Sequence, residues 1–158
     1  MLCSESPPKR HSPRRTSRWA ASSTHEAGWY RRHDMDVDAV LDDLVAEQQA
    51  LDAVVAPLAP EQWSLQTPSP RWTIADQIGH LTFFDTTAAL AITDPPAFVE
   101  HRGEMIRALG DDLAADEVTL GSFRTLAPVE QLTEWRHRRE ALETAARTLT
   151  DDARIEWY

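Results

Sequence analysis

The sequence predicts an all-α protein built as a helical bundle. Three observations carry that prediction. Apolar residues recur at three- and four-residue spacing in several long segments, helix start and stop signals flank those segments, and nothing alternates with the two-residue rhythm of a half-buried strand or carries a hairpin turn.

The first helical pattern runs from Val37 through Val40, Leu41, Leu44, Val45, Leu51, Val54, Val55 and Leu58, until Pro57 and Pro60 end it. Residues 61–72 hold two prolines and two tryptophans and predict an irregular loop anchored by aromatics. Thr73 followed by Asp76 has the form of a capping box, which starts a second helix over about 74–92, with Ile74, Ile78, Leu81, Phe83, Phe84 and Ala88 as its apolar stripe. Gln77, His80, Phe84 and Thr87 follow one another along an adjoining edge. Asp94-Pro95-Pro96 supplies an N-cap and a first-turn proline for a shorter third helix that reaches Gly110. Residues 111–127 are acidic and show no sustained period, which predicts a loop. Pro128 opens the last pattern, Val129, Leu132, Trp135, Leu142, Ala146 and Leu149, ending near Thr150. Ala153–Tyr158 follows with Ile155, Trp157 and Tyr158, an apolar run where domain ends are usually polar.

The organisation divides at Met35. Residues 1–34 are rich in Ser, Pro and Arg with almost no aliphatic side chains, so they predict a disordered tail, and 35–158 is the folded domain. The tail suits a nucleic-acid arm or an organelle transit peptide. The abrupt change of composition favours the blander reading, an extension upstream of a start at Met35. The tail carries seven basic against three acidic residues, and the remainder nine against twenty-three, a net charge of −14 within an overall −10. A body so acidic repels nucleic acid and anionic lipid, and no apolar run is long enough to span a membrane, so neither is an expected partner. The single cysteine, Cys3, forms no intrachain disulfide and fits a reducing cytoplasm.

The segment Pro70-Arg71-Trp72-Thr73-Ile74-Ala75-Asp76-Gln77-Ile78-Gly79-His80-Leu81 carries the clearest motif. A Trp at the helix mouth, an acid four residues on and His-Leu four residues after that resemble the DinB/YfiT-like superfamily of metal-binding helical bundles. Leu58 with Trp63, Asp85 after Phe83-Phe84, Leu132-x-x-Trp135-Arg136-x-x-Arg139 and Arg154-Ile155-x-Trp157-Tyr158 are similar to its mycothiol-dependent maleylpyruvate isomerase branch. The resemblance implies a DinB-like fold, His80 as one ligand of a divalent metal (zinc foremost, nickel or iron otherwise) and mycothiol as the thiol. It also implies an actinobacterial source and thiol-dependent isomerase or transferase chemistry in which the metal favours the thiolate. A small-molecule thiol or substrate is then the expected partner.

A neutral imidazole on a mid-helix position is a good ligand for such metals, but one histidine does not make a site. The family draws its other two ligands from an acid-x-x-x-His pair on a later helix. No such pair follows His80, since Ala97 precedes His101 by four and Thr133 precedes His137 by four. The expectation is therefore a domain lacking its last helix, with an incomplete metal site and no activity alone. Asp76, one turn before His80, is a candidate to hold the ring's second nitrogen by a hydrogen bond, or simply an acid at a positive helix end. His101-x-x-Glu104 and His137-x-x-Glu140 also pair an imidazole with a carboxylate, but their arginine neighbours predict solvated helix faces. Trp63, Trp72 and Trp135 read as core anchors. No phosphate loop, nucleophile elbow or Cys/His nucleophile pair is present. The alternative function is a non-catalytic interaction module, forming homo-oligomers through the apolar groove that a missing helix exposes.

Overall fold

The computed structural model describes residues 36–108 and 112–158, so the expected tail at 1–34 lies outside the described residues. The described residues form α1 (Val37–Val55), α2 (Ile74–Thr93), α3 (Pro95–Ala108), α4 (Asp112–Leu120) and α5 (Pro128–Ala146), with short 3-10 turns at Pro60–Ser64 and Phe123–Thr125. Among them there is no strand, only an isolated bridge between Gln66 and Thr73, and no helix is long and apolar enough to cross a membrane. The protein is an all-α bundle.

Three helices start where local side chains satisfy their first amides. Asp36 accepts from the Ala39 amide at 3.0 Å to start α1, and the Val37 amide donates to Asp151 Oδ1 at 3.0 Å, tying that end to the segment after α5. Thr73 and Asp76 form the expected reciprocal box on α2: the Thr73 hydroxyl accepts from the Asp76 amide at 3.2 Å and Asp76 Oδ2 accepts from the Thr73 amide at 2.9 Å. Asp94 accepts from the Ala97 amide at 3.2 Å and starts α3.

The core forms where α2, α5 and the segments flanking them meet. Val55, Trp63, Ile78, Phe123 and Trp135 are its buried centre, with Leu51, Leu58, Ala75, Leu126 and Leu132 packed around them. Trp63 and Trp135 are thus core anchors. Gly79 faces the same region, because a Cβ there would stand 2.8 Å from a Phe123 ring carbon; only hydrogen lets α2 approach the Phe123 turn so closely. On the far side, Asp52 of α1 accepts from both Arg136 and Arg139 of α5, each at 2.6 Å.

Two expectations change. Residues 112–120 are helix rather than loop. The apolar rhythm of α4 fails because Asp116 and Thr119 are buried beside Leu120, and Asp116 is held inside by hydrogen bonds to Trp72 and Arg71. A polar residue that finds partners inside breaks the hydrophobic period without breaking the helix. On α2 the inward face holds Asp76, Thr82 and Thr87 as well as Ile78, whereas Leu81, expected in the apolar stripe, is exposed.

Candidate functional site

The segment before α2 folds back on itself. The Thr67 amide and hydroxyl both donate to the Trp72 carbonyl at 2.9 Å, Gln77 of α2 donates to the Thr67 hydroxyl at 3.1 Å, and Arg71 turns the chain through a left-handed φ of 68°. A non-glycine residue adopts that conformation only where its surroundings impose it. The consequence is the placement of Trp72. Its ring packs on His80 with centroids 4.9 Å apart, and its indole N–H donates to Asp116 Oδ1 at 3.1 Å, so Trp72 serves this site rather than the core alone. Phe84, one turn further along α2, closes the other side of His80 at 4.6 Å.

His80 is therefore a partly buried imidazole held between two aromatic rings. Its Nδ1 is buried without a hydrogen-bond partner, which leaves Nε2 as the nitrogen a ligand can reach. Burial pushes its pKa below the ordinary value, against a smaller pull upward from the Asp116 carboxylate. The ring is kept neutral, the form that binds metals.

Asp76 is placed elsewhere. Oδ2 accepts from the Thr73 amide and hydroxyl, both at 2.9 Å, and Oδ1 accepts from Arg124 Nε at 2.7 Å. Burial acts to raise its pKa, but the Arg124 and Thr73 donors outweigh it and hold the carboxyl below the ordinary value. Asp76 thus ties the start of α2 to the turn before α5, and the carboxylate felt by His80 is that of Asp116. Sequence reasoning missed Asp116, because it lies 36 positions away in a segment expected to be a loop. No local signal marks it.

A wider aromatic wall continues from Phe84 to Tyr158 at 5.8 Å and Trp157 at 6.3 Å, and Trp157 stacks on Phe98 of α3 at 5.6 Å with an interplanar angle of 10°. Arg102 fastens this irregular segment by donating to the Trp157 carbonyl at 2.8 Å and to Glu156 at 3.1 Å. Trp157 and Tyr158 thus pack on α2 and α3 while remaining partly exposed.

The two other His/Glu pairs separate. His137 is exposed, as expected of a solvated face, but His101 is partly buried, with its ring 5.4 Å from Phe83 and its Nε2 enclosed without a partner. Asp85, on the α5 side of α2, is a partly buried carboxyl with Oδ2 enclosed, and burial pushes it up to about 6. The Trp135 N–H and Arg139 stand near enough to favour its charged form without offsetting burial, and neither Asp85 Oδ2 nor Trp135 Nε1 makes an aligned hydrogen bond.

Residues 44–158 match the model of the mycothiol maleylpyruvate isomerase N-terminal domain family. The chain belongs to that family. It is also 36% identical over 116 residues to an uncharacterized protein of Mycobacterium tuberculosis strain H37Rv, and equally to one of strain CDC 1551 / Oshkosh. Those alignments cover 73% of this chain and 44% of each relative, so the chain spans less than half the length of the curated relatives it matches. No solved structure matches it significantly.

Membership raises the question of a metal, and the donor set answers only in part. His80 offers one imidazole nitrogen, but among the described residues no three His, Cys, Asp or Glu side chains stand together as a metal site requires. Asp116, the nearest acid by its electrostatic effect, is occupied by Trp72 and Arg71. The described residues do not by themselves fit a bound metal.

Proposed function

We propose that this chain is the helical domain of a thiol-dependent isomerase or transferase of the mycothiol type, acting in a reducing cytoplasm. In this reading His80 Nε2 supplies one ligand to a divalent metal, zinc before nickel or iron. Among the described residues no group of three donors forms around it, so residues 36–158 do not complete that site by themselves. The observation that supports it is the state of His80. Its ring is clamped by Trp72 and Phe84, kept neutral by burial and left with Nε2 as its approachable nitrogen. These residues orient the imidazole and shield one side of it from water; they supply no proton donor to it. Mycothiol, or a thiol of its kind, is the proposed cofactor because of the family.

The test is calorimetric titration of zinc and nickel into the metal-free chain and into His80→Ala. The expected result is binding weaker than about 1 µM that is lost in the variant, because one imidazole competes poorly with water and buffer. Equal binding by both proteins would remove His80 from the site. Submicromolar binding lost in the variant would show a complete site and overturn the need for outside donors.

A second reading, a non-catalytic module that self-associates, draws on the exposure of Leu81, Val99 and Ile106 on α2 and α3. Sedimentation equilibrium separates the two: a concentration-dependent dimer abolished by Leu81→Glu supports the module, and a monomer throughout excludes it.

A further inference from the structure

A cavity of about 440 Å³ opens between α2, α3, α4, α5 and the turn around Phe123, and His80 does not line it. Its size falls within the range of small-molecule sites. The rings of Phe83 and Phe123 give it an apolar wall. The threonine hydroxyls that also line it are bonded to carbonyls of their own helices, and His101 contributes a ring whose Nε2 is enclosed in the protein. Recognition of a polar group therefore falls to α5 and the turn before it.

Arg138 and Ser122 supply the donors there. Arg138 Nε donates to Glu134 Oε1 at 2.6 Å, one turn back on α5, and neither Nη group has a hydrogen-bond partner among the described residues. The Glu134 bond holds the plane of the guanidinium, so its two Nη groups present an oriented fork rather than a mobile point charge. Ser122 precedes the Phe123–Thr125 turn without capping it through its side chain, and its hydroxyl has no partner among the described residues either. A fork of two N–H donors matches the two oxygens of one carboxylate, and the serine hydroxyl adds a third donor. Glu134 sets the limit on charge. It already neutralises Arg138, and from Met35 onward nine basic residues face twenty-three acidic ones, so a second negative charge on the ligand is repelled. A neutral amide of the same shape offers the fork one oxygen instead of two.

We propose that this cavity binds an aromatic monocarboxylate, its carboxylate received by the Arg138 Nη groups and the Ser122 hydroxyl and its ring by Phe83 and Phe123. The site is independent of His80 and of the function proposed for it.

The experiment titrates 3-phenylpropionate, 3-phenylpropanamide and the dianion phenylsuccinate into the full chain at neutral pH by calorimetry, with far-UV circular dichroism on each variant. The monocarboxylate is expected to bind about tenfold more tightly than the amide, the increment of one charge-assisted hydrogen bond, and phenylsuccinate more weakly than the monocarboxylate. Arg138→Gln should abolish the preference for acid over amide, and Arg138→Lys, which keeps the charge without the fork, should lower it, as should Ser122→Ala. Arg147→Gln removes a cation of α5's end that does not line the cavity, and both it and His80→Ala should leave the preference intact. Absence of carboxylate binding, equal binding of acid and amide, tighter binding of phenylsuccinate, or a preference that survives Arg138→Gln or Ser122→Ala would overturn the proposal. An equal loss in Arg147→Gln would reduce the effect to net charge, and loss in His80→Ala would move the ligand to the His80 side of α2; either overturns it as well.

Discussion

At the scale of single residues, Asp85 is the side chain whose position works against folding at neutral pH. Its carboxyl is pushed up to about 6 from an unfolded value near 3.8, so the native state holds the proton more firmly than the unfolded chain does. The stability this contributes is full below about pH 3.8 and is lost as pH rises through about 6. Asp85→Asn, which cannot ionise, should therefore match the parent near pH 4 and exceed it at pH 7 by up to about 3 kcal/mol. Urea unfolding of both proteins across that range checks it, and a stability difference independent of pH would refute the assignment. Asp116 is the opposite case. It is an acid buried with partners, fixing Trp72 through one oxygen and Arg71 through the other, and so it sets the aromatic wall against which His80 packs.

The same balance of burial against partners recurs at the scale of elements. Helix α2 begins at a box in which Thr73 both accepts from the Asp76 amide and donates to its carboxylate, while Arg124 approaches that carboxylate from the turn before α5. Thr73→Ala removes the cap and one of the bonds that orient Asp76, so it should cost about 1 to 2 kcal/mol. Serine, which keeps the hydroxyl, should restore most of it; chemical denaturation of the two variants is the measurement. Midway along α2 the constraint is volume. Gly79→Ala places a methyl carbon where Phe123 already stands, and the required shift of that ring should cost about 1 to 3 kcal/mol. Because Phe123 also lines the cavity beside α2, the same variant should change the near-UV aromatic signal while helicity persists.

For the whole molecule, α2 lies at the centre. One side of it meets α5 across Trp135, another carries His80, and a third lines the cavity with threonines. Trp135 is 1% exposed and is the largest fully buried side chain among the described residues, so Trp135→Ala should cost about 3 to 5 kcal/mol. That is a large part of the stability typical of a domain, and thermal unfolding followed by circular dichroism should lose its sharp transition. A cooperative transition within a few degrees of the parent would show that α1 and α3 are held by something other than this core.

The helices were legible from the chain alone wherever apolar spacing and end signals agreed. Thr73 with Asp76 and Asp94 with Pro95 act over three or four residues, so the bonds they make are already implied by local order, and the motif ending at His80 is local in the same way. The family, too, follows from the motif words around His80 and in α5. Tertiary structure decided what depends on distant partners. Helix α4 escaped because Asp116 and Thr119 point inward, and they do so because Trp72 and Arg71 come from 44 and 45 positions away to meet Asp116. The partial burial of His101 and the engagement of Asp76 by Arg124 share that origin. Periodicity records which side of a helix is apolar, whereas the desolvation of a polar atom depends on what packs over it, and that is settled only when the helices meet.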